Sequence, residues 1–70
     1  MKRDQVIGKL KLAARQRGLR FGTTELTRHT AVTVGSTSRT IGRHSEIDDL
    51  AARKFWDQFA AELGKGWWRP

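Results

Sequence analysis

The spacing of apolar residues changes twice along this chain, from helical to alternating and back, and that change limits the folds open to it. In residues 4–17, Val6, Ile7, Leu10, Ala13 and Ala14 recur at helical spacing, while Lys9, Lys11, Arg15 and Gln16 fall on other faces. The pattern predicts a first amphipathic helix, with Asp4 able to cap its start and Gly18 able to supply the left-handed residue that ends it. Residues 19–43 are rich in Thr and Val with Gly and Ser between short runs, which predicts strands. The clearest strand is 28–34, with a weaker one before it at 21–26 and a third at 37–41. In residues 48–63, Ala52, Phe55, Trp56, Phe59, Ala60 and Leu63 return to helical spacing. This predicts a second helix capped by Ser45 or Asp48, favoured by Asp49 in its first turn and ended by Gly64.

The expected fold class is therefore α+β, in the order α-β-β-β-α, with a three-stranded antiparallel sheet packed on two helices. Seventy residues support one core, so residues 1–70 are expected to form a single domain. The chain has no cysteine, which leaves packing rather than disulfides or thiolate-bound zinc to hold it together.

Gly35-Ser36 between two strands suits a two-residue type II′ hairpin, and this fixes a register. Val34 pairs with Thr37, Val32 with Arg39, Thr30 with Ile41 and His29 with Gly42. Cross-strand partners share a face, so Thr30, Val32, Val34 and Ile41 turn to the core. His29, Ala31, Thr33, Ser38, Thr40 and Gly42 form the opposite, solvent-facing side. Continued by one residue, the same register sets Arg28 opposite Arg43, two like charges that an anion between them would reconcile.

Fourteen Lys and Arg stand against seven Asp and Glu, a net charge of +7, and ten of the fourteen basic residues lie in residues 1–43. Such a balance points to a polyanionic partner, nucleic acid above all, approaching the first helix and the sheet. No apolar run approaches the roughly 20 residues of a membrane span, and the opening MKRDQVIG lacks the apolar core of a secretory signal. A cytoplasmic protein with no membrane association is expected.

The residue supply is poor for several chemistries. The glycines are scattered rather than gathered in a phosphate-binding loop, and the two histidines and seven carboxylates show no metal-ligand spacing. Neither a metal nor a cofactor is expected. What remains is histidine combined with arginine. A histidine can take the proton of a ribose 2′-hydroxyl while an arginine stabilises charge on the phosphate, so RNA can be cut without a metal. His29 is the candidate catalytic residue, flanked by Arg28 and Arg43 as candidate phosphate ligands. Lys9, Lys11 and Arg39 are candidate RNA-binding residues of a more general kind. His44, just before the second helix, reads better as a structural residue, and Trp67 and Trp68 as packing.

These residues carry a resemblance. The helix, three strands, helix order, the isolated His29 at the second strand and the stretch Gly42-Arg43-His44-Ser45-Glu46-Ile47 look like the HicA toxin family, whose corresponding stretch commonly reads Pro-Arg-His-x-Glu-Ile. The likeness covers nearly the whole chain. It implies a double-stranded-RNA-binding-like fold, mRNA cleavage by an essential histidine at the position of His29, and neutralisation by a HicB antitoxin that covers that histidine. Where the family usually has Gly-Ser or Gly-Asn before the histidine, this chain has Thr27-Arg28, and Gly42 stands where proline is usual.

Two other readings stay open. One is a non-catalytic nucleic-acid-binding module or regulator using the same basic surface, distinguished by binding without cleavage. Its duplex-binding variant is disfavoured, because Asp48 and Asp49 open the last helix where such domains carry lysines. The other is a protein-binding inhibitor anchored by Trp67 and Trp68.

Overall fold

The computed structural model describes residues 1–70 and orders them as helix α1 (Arg3–Gln16), strands β1 (Phe21–Glu25), β2 (His29–Val34) and β3 (Thr37–Gly42), then helices α2 (Asp49–Asp57) and α3 (Ala60–Leu63). The sheet is antiparallel with order β1-β2-β3. This is the α+β arrangement that the residue pattern predicts.

The register between β2 and β3 also agrees pair for pair, from Val34 opposite Thr37 to His29 opposite Gly42. Gly35 has φ +59, and no residue other than glycine has positive φ, as a type II′ turn with glycine first requires. Glu62 of α3 fastens this turn by accepting from the Ser36 backbone N–H at 2.8 Å. A side chain at Gly35 would meet that carboxylate.

One face of the sheet is covered. Val32, Val34 and Ile41 join Val6, Leu10, Ala13 and Ala14 of α1 and Ala52, Phe55 and Trp56 of α2 in one apolar cluster, with Phe59 and Leu63. Thr30 is the one buried polar residue beside them. The opposite face has no helix over it, and its side chains are too small to bury one: Gly22, Thr24, Ala31, Thr33, Ser38 and Thr40.

Several element boundaries differ from the expectation. Helix α1 begins one residue earlier, at Arg3, with Lys2 rather than Asp4 in the cap position. The cause is tertiary: residues 1–3 are strapped to residues 45–47 by Arg3 N–H to Ser45 C=O at 3.0 Å and Ile47 N–H to Met1 C=O at 2.8 Å. At its other end Gly18 takes φ +67 as expected, and Leu19 N–H reaches back to Ala14 C=O at 2.8 Å. The predicted second helix is two helices. At Gln58 and Phe59 the bonds tighten to Phe55 C=O and Trp56 C=O, three residues back. The break falls where the fully buried Phe59 ring meets Phe55 edge-on, with centroids 5.4 Å apart. Asp48, not Ser45, caps α2, accepting from Ala51 N–H. Strand β2 starts at His29 rather than Arg28, because Leu26 N–H closes onto His29 C=O at 2.8 Å and leaves Thr27 and Arg28 at the tip of the β1–β2 turn.

The tail packs, as expected of its two tryptophans. Trp67 donates its indole N–H to Trp56 C=O at 2.9 Å and Trp68 donates to Asp57 at 2.7 Å.

The strap carries a titrating group. Glu46 sits 2.8 Å from Lys2 Nζ and 3.3 Å from the Met1 ammonium. Its hydrogen bond from Lys2, then that from the N-terminus, holds its carboxyl below the usual range. Because the folded value is the lower one, this contribution is present above the ordinary carboxylate range and is lost as pH falls through the depressed value. A carboxyl-carbon NMR titration should put the Glu46 midpoint below that of a free glutamate, with a smaller depression after Lys2→Gln because the Met1 ammonium remains; an ordinary midpoint in the parent would refute the strap.

Candidate nucleic-acid interface

His29 stands at the first position of the central strand, on the open face of the sheet, with its side chain exposed and making no hydrogen bond within the protein. Both imidazole nitrogens are therefore free to meet a ligand. Beside it, Arg28 at the turn tip is exposed and has no ion-pair partner.

Arg43 has a different setting from the one its sequence position suggests. The two arginines are not cross-strand partners, since pairing ends at His29 and Gly42. The anion that Arg43 meets is internal: its guanidinium lies 3.1 Å from Glu25 Oε1. From there it donates to the C=O of Leu26 and, at 3.4 Å, to the C=O of His29. Arg43 thus grips the first and last carbonyls of the turn that carries His29.

A chain of polar contacts continues inward from this grip. Glu25 Oε1 accepts from the hydroxyl of buried Thr30 at 2.8 Å. That hydroxyl accepts from Arg3, whose Nε also donates to Gly42 C=O at 3.0 Å. The first turn of α1 is in this way tied to all three strands at the His29 end of the sheet. Sequence reading had assigned none of this to Arg3, Glu25 or Thr30. The one legible signal was Thr30 alternating into a core face that otherwise holds Val32, Val34 and Ile41, where a buried hydroxyl requires a partner.

Arg3→Met removes the donor to both Thr30 and Gly42. It is expected to cost about 1–3 kcal/mol, the usual penalty for leaving partly buried acceptors unpaired. It should also speed hydrogen exchange at the Leu26 amide, which bonds to His29. An unchanged unfolding midpoint and unchanged Leu26 protection would refute the coupling.

His44 comes to the same corner from the other side. Its ring lies against Gly42, with Cδ2 3.4 Å from where a Cβ on that glycine would stand, and Gly42 is the cross-strand partner of His29. The two histidines, fifteen positions apart in the chain, flank one glycine.

The remaining sequence candidates are dispersed. Lys9 lies on α1 with its ammonium 5.0 Å above the Trp56 ring. Lys11 is exposed on the same helix. Arg39 is exposed at mid-β3, its guanidinium donating to Ser38 C=O at 2.8 Å. The structure gathers His29, Arg28 and Arg43 at one end of the sheet and leaves these three outside that group. No cluster of three or more His, Asp or Glu side chains is arranged to hold a metal ion, and no helix is long and apolar enough to cross a membrane.

No protein-family model, curated protein or solved structure matches the chain. The functional reading therefore rests on the site.

Proposed function

We propose that the protein is a cytoplasmic, HicA-like toxin: a metal-independent endoribonuclease that cuts mRNA and is neutralised by a HicB-type antitoxin. The observation that carries this reading is an exposed, unpartnered histidine at the rim of an open sheet face, beside a free arginine, on a turn clamped at its first and last carbonyls. His29 exchanges protons with the reacting ribose or leaving oxygen, and Arg28 holds the scissile phosphate, joined by the N–H groups that Arg43 has left over. Lys9, Lys11 and Arg39, all exposed, supply sequence-independent attraction for the RNA backbone. The flat face of Thr, Ser, Ala and Gly side chains lets a strand of RNA approach the histidine without a steric rim. Leu26, 45% exposed beside the same turn, gives an antitoxin an apolar contact as it covers His29.

The lack of any side-chain partner orienting His29 favours a second reading, a nucleic-acid-binding module without chemistry. Incubation with mixed-sequence single-stranded RNA in EDTA, with cleavage and binding scored separately, divides the two. Cutting by the parent and binding without cutting by His29→Ala supports the nuclease. Binding without cutting by both supports the module.

A further inference from the structure

We infer that His44 is a second catalytic residue, working with His29 as an acid–base pair across Gly42; the inference rests on the nuclease reading above. Cleavage by the 2′-hydroxyl needs two proton transfers at different places. One group removes the proton from O2′ as it bonds to phosphorus; another gives a proton to O5′ as the P–O5′ bond breaks. The products are a 2′,3′-cyclic phosphate and a free 5′-hydroxyl, and no other reactant is consumed.

A single histidine can serve only one of these positions at a time, and the corner of the sheet holds two. Cross-strand Cβ atoms lie about 4.5–5.5 Å apart, and the His44 ring is 3.4 Å from the Cβ position of Gly42. The ring is thus no more than about 9 Å from the Cβ of His29, a span that leaves room for a phosphate between the two imidazoles. Glycine at position 42 leaves the space between the two histidines open, and a Cβ there would already be in van der Waals contact with the His44 ring.

The surroundings divide the roles. His44 lines the depression between β3 and α2 together with Glu46, Asp48 and Lys54. On that side of Gly42, His44 is assigned as the proton donor to O5′. His29, beside the phosphate-holding Arg28 of the turn tip, is assigned as the base that takes the proton from O2′.

The test uses an oligonucleotide with one ribose, at a linkage the parent cuts, and a matched oligonucleotide whose leaving O5′ is replaced by sulfur. A thiolate departs without a proton, so the second substrate does not need the acid. His44→Ala is expected to slow the oxygen substrate by roughly 10²-fold or more, yet to cut the sulfur substrate within about threefold of the parent rate. His29→Ala should slow both. His44→Gln, which keeps the size of the side chain, repeats the measurement and guards against a folding defect. Equal loss on both substrates, or parent-like cutting of the oxygen substrate, would overturn the role of His44 while leaving that of His29 intact. Parent-like cutting by His29→Ala would instead remove His29 from the chemistry, and with it the pair, whereas a parent that cuts neither substrate would overturn the nuclease reading itself.

Discussion

His29→Ala is expected to slow RNA cleavage by roughly 10²–10⁴-fold, the usual contribution of a positioned acid or base, while the affinity for uncut RNA changes by less than about threefold, since the lysines and arginines that meet the backbone phosphates are untouched. The structure makes this variant unusually clean. The His29 side chain is exposed and bonds to nothing in the protein, and the turn beneath it is held through its backbone carbonyl by Arg43. Alanine removes the ring and leaves the clamp. Circular dichroism and the unfolding midpoint should match those of the parent. A variant that folds, binds and cuts at the parent's rate would remove His29 from the chemistry.

Trp56→Ala is expected to have the largest effect on stability, about 3–5 kcal/mol. Trp56 is 3% exposed and joins α2 to α1 and to the tail. Its indole N–H donates to Val6 C=O at 3.1 Å, tying α2 to α1. Lys9 lies over its ring, and the rings of Trp67 and Trp68 pack at 6.1 and 6.0 Å. Its backbone carbonyl is also the acceptor for Trp67. A domain of this length has only roughly 4–10 kcal/mol of total stability, so the substitution should leave a large unfolded fraction at 37 °C. Trp68→Ala is the comparison: half-buried and bonded to exposed Asp57, it should cost much less. Denaturant midpoints for the two variants check the ranking. A loss below about 1 kcal/mol for Trp56→Ala would mean that the tail and α1 hold α2 without it.

What the chain determined locally was the order of elements, the type of each and the pairing of β2 with β3. Those follow from short-range physics: a period of two puts Thr30, Val32 and Val34 on one face, and Gly35-Ser36 admits one tight turn that sets the register. The exposure of His29 follows from the same alternation. What only the tertiary structure decided is where the long polar side chains go. Arg43 reads as a phosphate ligand opposite Arg28, yet meets Glu25 and two turn carbonyls. Arg3 carries no mark in the sequence beyond its charge, yet braces the buried Thr30 hydroxyl. His44 reads as a structural residue ahead of a helix, yet lies against the glycine paired with His29. The reason is one of reach. A side chain of four or five bonds finds partners set by packing between elements, and those elements are distant in sequence. The break at Phe59 belongs with these, because helical spacing records which residues face the core but not where the backbone must tighten for a ring to enter it.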